Sequence, residues 1–235
     1  MAKTDPELGQ KVKEHLTKLG LETLTGEQHT STAFAYIQEG ISGFLHGMGL
    51  DVHRDPSIKN TPQRVAEMYV NELCYGLNYD NFPKCTAQPN GTLASHHPST
   101  DTSIVPRIGA VDEMVIVRGI QTITLCEHHF QTITGVTHIA YLPGQKLLGL
   151  SKFARVTNFF ARRPQVQERM TEQIYAALSL ILETEDVAVV QAAVHNCMRA
   201  RGVMDPSSDT ITSKMGGRFR ENQATREELL GRLPL

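Results

Sequence analysis

The segment LCEHHF, residues 125–130, places a cysteine, a glutamate and two histidines side by side. Within it, Cys126 and His129 form a C-x-x-H pair, and thiolate and imidazole are ligands that favour zinc. A spacing of three residues suits a turn better than a regular strand, in which residues two apart share a face. The spacing does not separate His128 from His129 as the ligand, and a pair of this kind also occurs by chance.

A second group of reactive side chains lies far downstream, in VHNCMRARG. His195, Cys197, Arg199 and Arg201 are each two residues apart, so on a strand they would project from one face. That face would carry an imidazole, a thiol and two guanidinium groups, which favours a site that handles an anion. His195 could instead be a hydrogen-bonded core histidine.

Adding Cys197 to the earlier pair gives two sulfur ligands and one nitrogen ligand. Three protein ligands leave one tetrahedral position open, as in catalytic zinc sites, where the metal lowers the pKa of bound water to about 7. A spare imidazole such as His195 would then suit general acid–base work. Cys74 or Cys85 could supply a fourth ligand and make the zinc structural, but we place one at a helix end and the other at a loop.

The elements that must position these residues can be predicted from apolar spacing. Helical periodicity runs from Leu8 to Leu19 and from Phe34 to Met48, and in NTPQRVAEMYVNEL Thr61 can cap a helix with Pro62 at its first position. Later helices are expected in SKFARVTNFFARR, from Pro164 to Ile181, and in ATREELLGRL. Strands are expected in MVIVRGIQTITL, GVTHIAYLP and VAVVQAAVHNCMRARG.

This order of elements predicts an α+β fold, with an antiparallel sheet covered by helices on one face. We divide the chain into an N-terminal helical region (1–84), a loop insertion (85–110) and a catalytic domain (111–235). The insertion is rich in Pro, Ser, Thr and Gly, which predicts a long, mobile surface loop. His96 and His97 lie in it and could bind metal, although solvated loop histidines are the simpler interpretation.

The composition argues against several partners. The 235 residues include 23 Lys and Arg and 25 Asp and Glu, giving a net charge of −2, so the whole chain is not attracted to nucleic acid or membrane surfaces. No basic patch is interleaved with aromatic residues, and no stretch reaches the roughly 20 apolar residues of a membrane span. The opening MAKTDPELGQ lacks the apolar run of a secretory signal, which predicts a cytoplasmic protein.

Several motifs in order resemble the GTP cyclohydrolase I family: CEHHF, GLSK, RPQVQERMT and HNCMRARG. The resemblance runs from about Asp112 to the C-terminus and, more loosely, from about Phe34 to Pro83. It implies a tunnelling fold (T-fold), in which subunits share a barrel of antiparallel strands and assemble as a homodecamer of two stacked pentamers. It also implies hydrolysis of GTP to formate and 7,8-dihydroneopterin triphosphate, the first step of tetrahydrofolate or pterin biosynthesis.

The resemblance further implies which residues act. It selects Cys126, His129 and Cys197 as zinc ligands and leaves His128 for proton transfer, together with His195 and Ser151. Lys152, Arg155 and Arg201 resemble triphosphate contacts, and Arg64 resembles a further one. Glu168 resembles the residue that anchors guanine, with Gln167 beside it as a second substrate contact. Without the resemblance, Lys152 and Arg155 would be interpreted as the solvated face of a helix.

Two points stay open at this stage. The insertion at 85–110 departs from the family pattern, in which fewer residues join the segments that correspond to NFPK and VDEMV, so a regulator or metal could dock there. The chain could also be a zinc-stabilised assembly protein that has lost turnover, or a related enzyme acting on another pterin or purine. The presence of His128, His195, Ser151, Lys152, Glu168 and Arg201 together favours the active enzyme.

Overall fold

A computed structural model describes residues 3–26, 30–91 and 111–234. The N-terminal helices are α1 (Pro6–Lys18), α2 (Thr30–Gly47) and α3 (Thr61–Glu67), and α3 continues as a π-helical segment, Met68–Leu73. All three were predicted, but Asn60 rather than Thr61 is the residue that precedes α3, because Thr61 already has helical geometry beside Pro62. Within the described residues, no helix is long and apolar enough to cross a membrane.

A five-stranded sheet forms the centre of the remaining chain, in the order β5-β2-β3-β6-β7. Its strands are β2 (Val115–Cys126), β3 (Thr132–Tyr141), β5 (Pro164–Gln165), β6 (Val187–His195) and β7 (Thr210–Met215). Every pairing is antiparallel except the short parallel contact of β5 with β2. The predicted α+β architecture is therefore confirmed.

Helices cover both faces of this sheet, although they were predicted on one. On the first face, α4 (Ser151–Ala161) and α5 (Gln167–Leu182) bury residues such as Phe153 and Ile174 against Ile139 and Val189. On the opposite face, α7 (Gly217–Glu221) and α8 (Gln223–Gly231) bury Phe219 and Leu229 against Ala140, Ala188 and Val190. Alternate residues of β3 and β6 thus serve two separate cores, which is why the end of β3 and the start of β6 carry apolar residues on both faces.

Two predicted elements differ from the structure. Pro164 does not open a helix, because Pro164 and Gln165 pair with the end of β2 and α5 begins at Gln167. The strand predicted through Arg201 ends at His195, and residues Asn196–Arg199 form a single helical turn, α6. The expectation that Cys197, Arg199 and Arg201 continue one strand face is therefore wrong.

The N-terminal region joins the sheet domain through a buried arginine. Arg163 is fully buried, and its guanidinium lies 5.2 Å from the ring centroid of Tyr79 and 5.0 Å from that of Phe159. It donates to the carbonyl oxygen of Gly76 and lies 3.5 Å from the carboxylate of Glu22. Its charge is therefore compensated by groups from three separate segments of the chain.

The segment predicted as a loop insertion begins with a short strand, β1 (Ala87–Pro89), which pairs with β4 (Lys146–Leu148). Asn90 then bridges the gap to residue 111. Its side-chain amide donates to the Val111 carbonyl (2.8 Å) and accepts from the Val111 amide (2.9 Å). Residues 92–110, with His96 and His97, lie outside the described residues, and the boundaries 1–84, 85–110 and 111–235 stay predictions.

Candidate metal centre and surrounding site

The CEHHF motif forms the connection between β2 and β3, which we call the metal turn (residues 126–131). The Cys126 amide donates to the Gln131 carbonyl at 2.8 Å, and the Phe130 amide donates to the Cys126 carbonyl at 2.8 Å. Phe130 closes this turn in the left-handed region, with φ of +53°. This conformation is unfavourable for a residue with a large side chain, so the surrounding contacts must hold it in place.

Three residues whose ligand atoms lie within 4.8 Å of one another form what we call the metal group: Cys126, His129 and Cys197. The first two come from the metal turn, and the third comes from α6. That helical turn is docked on β3 by a hydrogen bond of 2.6 Å from the Asn196 side-chain amide to the Thr132 hydroxyl. Two thiols and an imidazole at this separation match the donor set of a zinc site, so the group could hold a metal ion.

The other two cysteines do not join this group. Among the described residues, the metal group contains neither Cys74 nor Cys85. Burial raises the pKa of each of these thiols to about 11. Burial, followed by the hydrogen bond to Cys126, also raises the pKa of Cys197. The arrangement offers three protein ligands.

Three basic side chains border the metal group. The Nδ1 atom of His128 lies 3.8 Å from the Cys126 sulfur, yet His128 does not belong to the group. A guanidinium nitrogen of Arg201 contacts Nε2 of His129. His195 ends β6 opposite Ile133, two residues before Cys197. Burial lowers the pKa of His195, and the nearby charge of Glu168 acts in the opposite direction.

Gln167 does not fit the predicted role of a substrate contact. It is fully buried, and its amide nitrogen lies 3.0 Å from the Thr210 carbonyl, 3.1 Å from the Thr212 hydroxyl and 3.3 Å from the Gln191 carbonyl. Its amide oxygen lies 2.8 Å from Nε2 of His195. All its polar atoms are engaged within the protein, so they are not available to bind guanine or ribose. Glu168, the next residue, is exposed and remains accessible to a ligand.

A charged pair behind the metal turn was not predicted from the sequence. Glu127 forms an ion pair with Arg169 of α5, and the Arg169 Nε also donates to the Gln165 side chain at 3.2 Å. The backbone amide of Glu127 donates to the Gln165 carbonyl at 3.1 Å. These contacts hold the metal turn against β5 and α5. The only sequence signal was an acidic residue inside the metal-binding motif, which does not reveal its partner.

The predicted proton-transfer residue Ser151 and two predicted phosphate contacts, Lys152 and Arg64, lie on other elements. Ser151 and Lys152 begin α4, whereas the end of α4 lies next to β5, which pairs with Cys126. At 1.5 Å per residue, Ser151 is about 15 Å along the helix from that end. Arg64 is exposed on α3 in the N-terminal region. Among the described residues, His128 and Arg201 contact the metal group and His195 lies two residues from Cys197, whereas no hydrogen bond or ion pair joins Ser151, Lys152 or Arg64 to it.

A groove of about 1280 Å³ runs between α2, the π-helical segment and α4. Its lining includes Tyr36, Tyr69, Phe130 and Arg155, so it reaches from the metal turn to one predicted phosphate contact. Most of the surface inside it is apolar. A triphosphate needs several cations and hydrogen-bond donors, so we do not assign this groove as its binding site.

The sequence of this chain matches those of known proteins of one family. The family model described as GTP cyclohydrolase I matches residues 37–233. The chain belongs to the GTP cyclohydrolase I family. A protein of Shewanella amazonensis named GTP cyclohydrolase 1 is 44% identical over 230 residues, which cover 95% of this chain and 96% of that protein. Proteins of the same name from Haemophilus ducreyi and Aeromonas salmonicida are 45% and 43% identical, each covering 94% of both chains.

The matched region of the GTP cyclohydrolase I family includes every residue that the sequence singled out for chemistry, from Arg64 to Arg201. The resemblance on which those residues were selected is therefore confirmed at the level of the family. Their individual roles depend on the geometry described above.

Proposed function

We propose that this chain is a zinc-dependent GTP cyclohydrolase I. It would hydrolyse GTP, with one water consumed overall, to formate and 7,8-dihydroneopterin triphosphate, the first step towards tetrahydrofolate or a pterin cofactor. The observation that carries this proposal is the metal group, with ligand atoms within 4.8 Å of one another, beside His128 and His195 in a chain of this family.

Cys126, His129 and Cys197 would hold the zinc. When bound, the ion supplies a Lewis acid and lowers the pKa of a water molecule for attack on C8 of guanine. His128 lies 3.8 Å from the Cys126 sulfur and would protonate N7 of guanine as the imidazole ring of the base opens. His195 would move protons during the rearrangement of the ribose, with Ser151 assisting.

The remaining contacts orient the substrate. Glu168 is exposed beside the site, and its carboxylate can accept hydrogen bonds from N1–H and the 2-amino group of guanine, a pair that adenine does not offer. Arg201 contacts the metal-binding imidazole and would bind a phosphate oxygen. Lys152, Arg155 and Arg64 would complete the triphosphate site.

We infer that Lys152, Arg155 and Arg64 act in the site of a neighbouring copy, because no hydrogen bond or ion pair joins Lys152 or Arg64 to the metal group within the described part of one chain. Two sheet edges support an assembly of this kind. Among the described strands, the outer edge of β2 before Leu125 and the outer edge of β7 have no partner. Open strand edges of this length are normally paired or protected. We therefore propose a T-fold ring that assembles as a decamer of two stacked pentamers. The cytoplasmic location remains a prediction.

The test is turnover of GTP by the purified, zinc-loaded protein, followed as released formate and as fluorescence of the oxidised neopterin product. ATP serves as the control substrate, and His128→Ser should lose formate release while keeping its zinc. Turnover of GTP alone supports the proposal. An intact, zinc-loaded ring without turnover would instead favour an assembly protein, and full activity of His128→Ser would contradict the role given to that residue.

A further inference from the structure

We propose that Gln167 is a positioning residue that determines which ring nitrogen of His195 exchanges a proton. The kinetic part of this inference rests on the proposed function, whereas the position of the proton on the ring does not. The hydrogen bonds around the Gln167 amide allow only one orientation of that group.

The orientation follows from what surrounds the amide nitrogen of Gln167. Two of its neighbours, at 3.0 and 3.3 Å, are the backbone carbonyl oxygens of Thr210 and Gln191, which can only accept hydrogen bonds. Exchanging the amide nitrogen and oxygen would place one acceptor against two others in a fully buried position. The nitrogen therefore faces β6 and β7, and the oxygen faces His195.

The state of His195 follows from this orientation. An amide oxygen only accepts, so Nε2 of His195, 2.8 Å away, must carry a proton. This holds for both the neutral and the charged imidazole. The proton that His195 exchanges is consequently the one on Nδ1, which has no hydrogen-bond partner among the described residues. In this respect Gln167 acts as the orienting carboxylate does behind other histidine bases.

The Gln167 side chain is held in place by a chain of buried polar groups. The Thr171 hydroxyl lies 2.6 Å from the Gln191 side-chain oxygen, and the Gln191 side-chain nitrogen donates to Thr137 at 2.8 Å. The Thr212 hydroxyl accepts from Gln167 at 3.1 Å and lies 2.7 Å from that of Thr171. A network in which each member has partners gives the amide little freedom to rotate.

The first experiment measures the proton directly, by solid-state NMR of the zinc-loaded protein labelled with ¹⁵N-histidine. The His195 signals are identified by their loss in His195→Gln. We expect a protonated Nε2 with a directly bonded hydrogen in the neutral ring and a non-protonated Nδ1. A neutral ring protonated on Nδ1 would overturn the inference. Because this measurement does not require turnover, it remains decisive if the proposed activity is absent.

The second experiment separates positioning from a general structural role. Gln167→Met keeps the length of the side chain but removes the acceptor for His195, and we expect kcat to fall by about tenfold or more with KM changed little. Gln173→Met is the matched control, because it makes the same change at another fully buried glutamine of α5, whose side chain contacts Gln165 and the Leu21 carbonyl and not His195. It should retain kcat within about twofold.

A double mutant completes the test. If Gln167 acts through His195, adding Gln167→Met to His195→Gln should lower kcat no further. Additive losses, or an equal loss of kcat in Gln173→Met, would indicate that Gln167 only stabilises the fold. A rise in KM without a fall in kcat would restore Gln167 as a substrate contact and would also contradict the inference.

Discussion

The ion pair between Glu127 and Arg169 allows a test of how the metal turn is held in position. In Arg169→Met, the metal turn loses its charged contact with α5. Gln165 of β5 also loses the hydrogen bond that it accepts from Arg169. Cys126 and His129, two members of the metal group, flank Glu127 in the turn. We therefore expect weaker metal binding even though no ligand has been changed.

The size of the effect can be worked out from the exposure of the pair. A charge-assisted hydrogen bond contributes about 1.5–3 kcal/mol when it is shielded from solvent. The side chains of Arg169 and Glu127 are 25% and 31% exposed, so solvent screening reduces this to about 1 kcal/mol. Since about 1.4 kcal/mol corresponds to a factor of ten, metal affinity should fall by about fivefold, somewhat below the roughly 10–100-fold typical of residues that orient metal ligands.

The assay is competition for zinc between the protein and a chromophoric chelator, with stability measured separately by urea unfolding. Lys214→Met is the matched control. Lys214 forms an ion pair with Glu172, which lies on α5 as Arg169 does, and their side chains are 33% and 35% exposed. This pair does not contact the metal turn. Lys214→Met should lose similar stability and keep its zinc affinity. Unchanged affinity in Arg169→Met, or an equal loss in both variants, would refute the assigned role of the pair.

Three further predictions concern stability. Arg163→Leu should lower the free energy of unfolding by about 3–5 kcal/mol, because it leaves the Glu22 carboxylate, which is only 12% exposed, without its cation; a loss below about 1 kcal/mol in urea unfolding would contradict this. Gly76→Ala should cost about 1–3 kcal/mol, because an added Cβ would lie 2.0 Å from the Phe159 carbonyl oxygen, whereas Gly144→Ala, with nothing within 4 Å, should cost far less. The pKa of Cys85 is raised to about 11 by burial, so the folded state keeps a proton that the unfolded chain releases, and stability should fall as the pH rises from about 9 to 11. Unfolding of Cys85→Ala should show a smaller fall over that range, and identical pH profiles would argue against a buried thiol.

The ligands of the metal group illustrate how much the sequence could predict. Cys126 and a neighbouring histidine were found because a thiol and an imidazole close together suit a turn, and the structure has a turn there. The choice of His129 over His128 came from the family resemblance. Cys197 was correctly associated with them, but for a wrong reason. It reaches the group from the helical turn α6 rather than from a strand face, because β6 ends at His195.

Other features depended on contacts between segments far apart in the chain. The burial of Gln167 results from the approach of β6 and β7 to the start of α5, and β7 was not predicted because its residues are only partly buried. The Glu127–Arg169 pair requires α5 to pass behind the metal turn. Periodicity identifies which face of an element is apolar, but it does not say which polar groups will meet across elements.

The hydrogen bonds from Asn90 to Val111 have a consequence for how the length of the chain can change during evolution or engineering. The two ends of the intervening segment are already held together by described residues, so lengthening it adds only a small closure entropy, about 0.6 kcal/mol per doubling. The whole of β2, about 36 Å of strand, separates the Asn90–Val111 contact from the metal turn. The segment is therefore a suitable place to graft a reporter, an affinity tag or a tether without disturbing the proposed zinc chemistry.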